Sequence, residues 1–227
     1  MPKKEKIAEM FDSIAPQYDA FNHLTSLGID KVWRRAALRH IDGPQVLDVA
    51  CGTGDFAITI ARRRHCAVTG IDISEKMLEL MREKVAGERL EKSISARLGD
   101  CAALDFPEGS FDNVTVAFGV RNFEDRPACL REIFRVLRPG GKFVMLELGV
   151  PAFSPLRKIY KWYFTRIMPF IGRRMSGNAE AYRYLPASVL AFPGKKEWLA
   201  TMREAGFSEV RHRALTFGIC RMYIGTK

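Results

Sequence analysis

The central part of the chain carries short apolar runs bounded by turn residues. Runs of this kind are typical of buried strands. They predict strands at "QVLDVA", "AVTGIDI", "FDNVTVAFG" and "KFVMLELG", with a further strand edge at "ARLGD" and two closing strands at "SEVRHRALTFG" and "CRMYIGTK". The sequence therefore predicts seven strands in all.

Segments with helical spacing of apolar residues lie between these runs. They predict helices at "DFAITIARRR", "SEKMLELMREKV", "RPACLREIFRVL" and "KKEWLATMREAGF". In the second of these, Met77, Leu78, Met81 and Val85 share one face and Ser74 is the expected N-cap. Pro139 and Gly140 in "RPGG" are expected to stop the third. Strands that alternate with helices predict an α/β fold with a mostly parallel sheet and helices on both faces.

This alternation ends after Gly149. The segment "SPLRKIYKWYFTRIMPFIGRRM" is aromatic and basic, and Leu156, Ile159, Tyr163 and Ile167 fall on one helical face. Pro169 is expected to kink or end that helix. We interpret residues 1–227 as a single domain. It would comprise an N-terminal helical lid (1–42), a cofactor-binding βα core (43–149), a basic and aromatic cap inserted after the fifth strand (150–195), and a closing helix with two strands (196–227).

The net charge of +10 is located in one part of the chain. Residues 1–147 carry 22 basic and 22 acidic side chains, whereas residues 148–227 carry 14 basic and 4 acidic ones. Such an uneven distribution indicates an anionic partner, either lipid or nucleic acid, or a basic face that keeps the protein in solution.

The cysteines and the N-terminus indicate the compartment. The five cysteines are scattered, with no CxxC pair and no His at ligand spacing, which argues against a disulfide framework or structural zinc. The N-terminus lacks the apolar core of a signal peptide, and no run of about eighteen apolar residues occurs. We expect a cytoplasmic protein.

The stretch "VLDVACGTGDF" has the form of a nucleotide-binding turn between a strand and a helix. A dinucleotide site needs a third glycine so that a pyrophosphate can approach the backbone, but Ile58 stands near that position. Asp48 would repel a pyrophosphate and attract an amino-acid ammonium group. Asp48, Gly52 and Gly54 therefore favour S-adenosylmethionine, with a plain tight turn as the alternative.

Two further strand ends carry acids. Asp72 can accept hydrogen bonds from both ribose hydroxyls. Asp100 can accept from the adenine amino group, and the backbone N–H of Cys101 can donate to the ring. Each acid is a weak signal alone, because an acid after a strand is often a helix N-cap, but together they predict an adenosine site. The thiols of Cys51 and Cys101 fit packing better than catalysis, since no His or Lys is placed to lower their pKa.

Several blocks of the chain resemble the menaquinone and ubiquinone biosynthesis C-methyltransferases, which have the class I (Rossmann-like) methyltransferase fold. The similar blocks are "MFDSIAPQYDAFNHLTSLGIDKVWR", "AFGVRNFED", "RVLRPGGKFVMLELG" and "YRYLPASVLAFP". The resemblance implies that Thr53, Asp72, Asp100 and Cys101 contact S-adenosylmethionine, whose product is S-adenosylhomocysteine. It also places Arg121 on a proposed catalytic arginine.

The resemblance implies methylation of a ring carbon in a prenylated quinol, which requires loss of a ring hydroxyl proton. Arg121 cannot be an ordinary base, because guanidinium stays protonated, but it can stabilise the phenolate or orient a water. The alternative for Arg121 is a structural salt bridge with Glu124 or Asp125. Asn122 is expected to orient Arg121 or the quinol, and Tyr18 and His23 are weaker candidates. No metal is needed.

A prenyl tail is insoluble in water, so residues 154–172 are interpreted as an interfacial helix on an anionic membrane surface. Its aromatic and basic side chains are Tyr160, Trp162, Tyr163, Phe164 and Phe170, and Arg157, Lys158, Lys161 and Arg166. The alternatives are a helix that packs on the domain and one that forms a homodimer seam. We therefore expect a cytoplasmic protein that can lie on the inner face of the membrane.

Three other functions remain open. A nucleic-acid methyltransferase would fit the basic charge, but "FGVRNF" replaces the Asn/Asp-Pro-Pro-Tyr block of the base-amine enzymes and no nucleophilic Cys lies near a Pro after a strand, so no nucleic-acid partner is expected. A non-catalytic protein that binds S-adenosylmethionine or a quinone is the second, and a ubiquinone-pathway benzoquinol substrate is the third. The short chain without a mitochondrial presequence favours a bacterial origin and demethylmenaquinol.

Overall fold

The computed structural model describes residues 3–151, 153–168, 170–171, 174 and 179–227. Within these ranges seven strands form one sheet in the order β3-β2-β1-β4-β5-β7-β6. Their bounds are β1 Gln45–Val49, β2 Ala67–Asp72, β3 Ile94–Leu98, β4 Phe111–Ala117, β5 Leu137–Leu148, β6 Ser208–Leu215 and β7 Cys220–Thr226. Strands β1 to β5 are parallel, and β7 is antiparallel to both of its neighbours. The predicted seven-stranded, mostly parallel sheet is confirmed.

Helices cover both faces of this sheet. They are α1 Lys4–Thr25, α2 Ile29–Ala37, α3 Asp55–Arg64, α4 Glu75–Gly87, α5 Arg126–Val136, α6 Ser154–Trp162, α7 Ala179–Leu190 and α8 Lys195–Glu204, and α6 continues into a π-helical turn at Tyr163–Ile167. On one face α2, α3 and α4 bury Trp33, Phe56 and Met81 against the sheet. On the other face α5 and α8 bury Ile133 and Trp198. The two apolar cores hold the sheet rigid, so its carboxyl edge can position a site.

The starts of α4 and α5 follow from their caps. The Ser74 hydroxyl accepts a hydrogen bond from the Met77 N–H at 3.2 Å, and the four apolar residues predicted for the inner face of α4 are all buried. Asp125 caps α5 by accepting from the Ala128 N–H at 2.9 Å. The helix ends at Val136, and the "RPGG" segment that we expected to stop it belongs to β5.

The N-terminal helix and α6 pack together in a third apolar cluster. Tyr160, Phe164 and Met168 are buried against Ile14 and Phe21 of α1. Of the residues that the spacing places on one face of α6, Ile159 points to solvent. Apolar side chains occupy more than one stripe of this segment, so contact with α1 decides which stripe is buried.

The aromatic residues of the cap, expected at a membrane surface, differ in their exposure. Trp162 is exposed, whereas Tyr160 and Phe164, expected at a membrane surface, belong to the interior. Pro169 lies outside the described residues. No described helix has the length and apolar character to cross a bilayer.

Candidate active site

Two adjoining cavities lie at the carboxyl edge of the parallel strands, where ligands bind in folds of this kind. The first, about 550 Å³, lies between the ends of β1 to β4 and helix α1. The second, about 450 Å³, lies between α1, α2 and α6. Both are lined by Tyr18, Ala50, Gly52, Ala117 and Phe118. Molecules held in the two cavities would therefore meet beside these residues.

The two glycines of the turn after β1 have different surroundings. Gly52 has a left-handed φ of 55°, and a Cβ added to it would meet only Tyr18 Cε1 at 3.9 Å, so its backbone is open to both cavities. Gly54 has a φ of 84°, and a Cβ there would lie 2.6 Å from Cγ of Met81. Gly52 therefore leaves room for a ligand, whereas Gly54 permits close packing of α3 against α4.

Asp72 connects the end of β2 to the glycine turn. Its carboxylate accepts hydrogen bonds from the Gly52 N–H at 2.8 Å and the Ser74 N–H at 3.0 Å, and it lines the first cavity. Burial raises its pKa, and these two N–H groups oppose that effect. A carboxylate can accept about four hydrogen bonds, so Asp72 keeps capacity for the two hydroxyls of a ribose.

Asp100 and Cys101 follow β3 and line the same cavity. The Asp100 carboxylate accepts from the Ala102 N–H and from Lys4 Nζ, each at 2.9 Å. Although burial acts in the opposite direction, these two bonds hold the pKa of Asp100 below its usual value. Burial raises the pKa of Cys101 well above that of a free thiol, so the side chain is neutral and fits packing rather than nucleophilic chemistry.

Helix α1 lies across this edge of the core. Besides Lys4 at Asp100, it places Asp19 against the glycine turn, where the Thr53 hydroxyl donates to Oδ1 at 2.6 Å and Lys84 Nζ lies 2.9 Å from Oδ2. The Thr53 side chain therefore faces α1 and the second cavity. Its contact with the cofactor stays a prediction.

Asp48 is buried below the second cavity. One carboxylate oxygen accepts from the Thr115 hydroxyl at 2.6 Å, and the other has no hydrogen-bond partner within the described part of the chain. Burial raises the pKa of Asp48 to about 7. An ammonium group would give the free oxygen a partner and favour its charge, which agrees with the predicted role of Asp48.

Arg121 forms a buried ion pair with Glu147, which lies near the end of β5. Its guanidinium Nη1 lies 2.9 Å from Glu147 Oε1, and its own backbone N–H donates to Oε2 at 3.0 Å. Nη1 also donates to the carbonyl of Phe118. The alternative pairing with Glu124 or Asp125 is wrong, because Glu124 accepts from the Lys4 N–H and Asp125 caps α5.

Asn122 and Tyr18 lie beside this ion pair. Asn122 lines the first cavity, and its buried Oδ1 has no partner among the residues that the structure describes. The described bonds of Arg121 do not include Asn122, so Glu147 is the residue that orients the guanidinium. Burial raises the pKa of Tyr18 and the charge of Arg121 opposes this, which places the phenol near the guanidinium.

Two residues of this site were missed from the sequence. Glu147 is a single acid inside the apolar run "KFVMLEL", and a buried charge of this kind requires a partner, so the signal was present. Tyr160 lines the second cavity with a hydroxyl that has no hydrogen-bond partner in the described chain. Burial raises its pKa, and the charge of Arg121 again opposes this. No sequence signal separates Tyr160 from the other aromatic residues of the cap.

His23 lies apart from the two cavities. Its Nδ1 is 3.3 Å from Asp30 Oδ2 and its Nε2 is 3.5 Å from Asp55 Oδ2. Ligand atoms of these three residues lie within 4.8 Å of one another, a spacing that suits a metal ion. Arg34 and Lys84 already pair with the two carboxylates. His23 therefore belongs to a charged cluster between α1, α2 and α3, and the absence of a metal requirement stays a prediction.

The fold and these contacts fit S-adenosylmethionine. The free oxygen of Asp48 can accept from the ammonium group of the cofactor. The open backbone at Gly52 leaves room for the methionine chain. Asp72 has acceptor capacity left for the ribose hydroxyls. A putative S-adenosylmethionine-dependent methyltransferase from Methanococcus maripaludis has the same fold, with a TM-score of 0.69 and 19% identity over 96% of this chain and 94% of that one. One from Aquifex aeolicus gives 0.65 and 17% over 95% and 97%. The chain therefore has the fold of the class I S-adenosylmethionine-dependent methyltransferases.

Sequence comparison identifies the family within this class. Residues 1–227 match the ubiE/COQ5 methyltransferase family, and the chain belongs to it. The ubiquinone/menaquinone biosynthesis C-methyltransferase UbiE of Geobacter sulfurreducens is 46% identical over 99% of this chain and 90% of its own length. The demethylmenaquinone methyltransferase of Deinococcus radiodurans is 47% identical over 99% and 94%. The predicted family, fold, cofactor and C-methyltransferase activity in quinone biosynthesis are confirmed.

Proposed function

We propose that the protein transfers a methyl group from S-adenosylmethionine to a ring carbon of a prenylated quinol, with demethylmenaquinol as the preferred substrate. One observation carries the proposal: Arg121, held by the buried Glu147, lines the second cavity, which adjoins the first beside Tyr18 and Gly52. The names of the Deinococcus radiodurans and Bacteroides fragilis relatives support a naphthoquinol ring.

When bound, S-adenosylmethionine supplies an electrophilic methyl group. The ring carbon becomes nucleophilic when an adjacent hydroxyl loses its proton, because the negative charge spreads into the ring. A guanidinium keeps its proton in proteins, so Arg121 acts as a fixed cation beside the developing phenolate. Glu147 holds this cation in place through two hydrogen bonds, and no reorganisation of Arg121 is needed during the reaction.

Tyr160 is the second group proposed to bind the quinol. Its hydroxyl is buried at the wall of the second cavity, and a buried hydroxyl without a partner is unfavourable. A quinol oxygen in that cavity would supply the missing hydrogen bond. Arg121 and Tyr160 line the same cavity of about 450 Å³, so both can face one bound ring.

We also propose contact with the surface of an anionic membrane. The exposed face of α6 carries Arg157, Lys158 and Lys161 beside Ile159 and Trp162. Basic side chains near an anionic leaflet contribute about 1 kcal/mol each, and this attraction weakens with added salt. The protein should sediment with anionic vesicles at low salt and be released at high salt.

The deciding experiment compares acceptors side by side. The protein is given S-adenosylmethionine with a labelled methyl group and a reduced naphthoquinol, a reduced benzoquinol or duplex nucleic acid. We expect label in both quinols, with a higher rate on the naphthoquinol. A higher rate on the benzoquinol would reassign the substrate. Label only in nucleic acid, or cofactor binding without turnover, would reject the proposal.

A further inference from the structure

The second cavity reaches the protein surface between two turns. Leu27, between α1 and α2, lines this cavity and is 81% exposed. The turn between β6 and β7 contributes Thr216 to the same cavity, and the adjacent Phe217 is 79% exposed. The Trp33 Nε1–H donates to the Thr216 hydroxyl at 2.8 Å, which ties the second turn to α2. Two large apolar side chains therefore stand at one mouth of the cavity.

The backbone holds both side chains outward. Leu27, Thr216 and Phe217 have positive φ angles of 51°, 46° and 56°, a conformation that non-glycine residues seldom adopt and that strains the chain. Exposed Leu24 and Val32 flank the first turn. Exposed apolar side chains grouped in this way are typical of an interaction surface.

Basic side chains lie near both turns. Lys31 and Arg35 lie on α2, four and eight residues after Leu27, and Arg213 lies on β6, four residues before Phe217. None of these three has a carboxylate partner in the ranges that the structure describes. Lys31 and Arg35 also line a separate cavity of about 620 Å³.

We propose that this mouth is the membrane-inserting face of the enzyme. Leu27 and Phe217 would enter the bilayer, and Lys31, Arg35 and Arg213 would bind anionic headgroups. The occupant is a lipid bilayer because the mouth opens from the cavity assigned to a prenylated quinol, so the inference rests on the proposed function. Apolar tips with basic side chains close by match the apolar interior and the charged headgroups of an anionic leaflet. The quinol then enters sideways from the membrane without crossing water.

The test is sedimentation with vesicles of phosphatidylglycerol and phosphatidylcholine. Asn tolerates a left-handed backbone, so L27N/F217N removes both tips without forcing the turns to refold. We expect its vesicle affinity to fall by about tenfold or more, from the apolar area lost. The matched control is L98N. Leu98 is 62% exposed and lies on β3, the outer strand on the other side of the sheet from β6. L98N should bind vesicles as the wild type does.

A second variant tests the headgroup contacts. K31Q/R35Q should lose about tenfold in affinity for anionic vesicles and show no change on pure phosphatidylcholine. Wild-type affinity in L27N/F217N would overturn the inference, as would an equal loss in L98N. Loss of self-association or of a protein partner in L27N/F217N, without vesicle binding by the wild type, would also overturn it. Turnover of a water-soluble naphthoquinol by the wild type is measured separately. Absence of turnover would reject the proposed function whatever the result of the vesicle experiments.

Discussion

Arg121 donates two hydrogen bonds to the carboxylate of Glu147, one from its guanidinium at 2.9 Å and one from its backbone N–H at 3.0 Å. Glu147 has no exposed surface. The pair fixes a cation at the end of the cavity and also fixes the turn that carries it. Loss of either partner should therefore affect both stability and chemistry, and these effects must be separated.

Arg121→Ala should lower kcat by about 10²–10³, because it removes the cation that meets charge on the quinol oxygen. It also leaves Glu147 buried and unpaired, which costs about 3–5 kcal/mol in folding free energy. R121A/E147Q should regain stability but not kcat, and Arg121→Lys should restore activity only in part. The measurement is single-turnover methyl transfer at saturating cofactor. A near-wild-type rate in Arg121→Ala would return the pair to a purely structural role.

Asp72→Ala should weaken S-adenosylmethionine binding by about 1.5–3 kcal/mol, the contribution of a charged hydrogen-bond acceptor. The fold should persist, because Asp72 and Gly52 both line the first cavity, where water can take the place of the lost carboxylate. Isothermal calorimetry measures the affinity, and circular dichroism checks the fold. Unchanged affinity would remove Asp72 from the ribose site.

Cofactor affinity should depend on pH through Asp48. Its pKa in the cofactor-free protein is about 7, and only the charged form attracts an ammonium group. Affinity should be constant above about pH 8 and fall up to about tenfold for each pH unit below 7. Asp48→Asn should bind more weakly at about pH 8 and lose this dependence. The check is calorimetry at several pH values. If cofactor affinity depends on pH in the same way in the wild type and in Asp48→Asn, Asp48 is excluded as the titrating group.

Tyr160→Phe should lower kcat/KM for the quinol by about tenfold, the equivalent of one hydrogen bond. The free energy of unfolding should be unchanged or slightly higher, because the Tyr160 hydroxyl has no hydrogen-bond partner among the described residues. Tyr223→Phe is the matched control, since Tyr223 is buried in β7 and lines neither cavity. Equal kcat/KM values for the two variants would show that Tyr160 does not contact the substrate.

Replacement by alanine should have different effects at Gly52 and at Gly54. Gly54→Ala should destabilise the protein by about 2–5 kcal/mol, from left-handed strain and overlap with Met81. Gly52→Ala should cost about 1–2 kcal/mol of strain and chiefly reduce cofactor affinity, because its Cβ would enter the cavities. Denaturant unfolding and calorimetry on both variants distinguish these effects. Loss of affinity with full stability in Gly54→Ala would contradict the assignment.

The core was predictable because its signals are local. Ser74 caps α4 and Met77, Leu78 and Met81 face inward, as expected from spacing alone. The strand-end acids Asp72 and Asp100 also line one cavity, since parallel strands bring their carboxyl ends together. These features depend on the periodicity of a single element and on the direction of the strands.

The cap and the partner of Arg121 were not predictable in this way. Tyr160 and Ile159 are adjacent and both apolar in character, and only packing against α1 buries the first and exposes the second. Sequence proximity suggested Glu124 or Asp125 for Arg121, whereas β4 and β5 are paired so that Glu147, 26 residues away, is the neighbour. Long-range pairing of strands decides such contacts, and a single sequence does not encode it locally.

The bond between Lys4 and Asp100 joins the first turn of α1 to the acid predicted to bind adenine. Asp100 accepts from Lys4 Nζ and from the Ala102 N–H, and a carboxylate with two donors keeps acceptor capacity for a further one. If Asp100 binds the adenine amino group as predicted, one carboxylate anchors both the cofactor and the helix that covers it. Cofactor binding would then be felt directly at the start of α1.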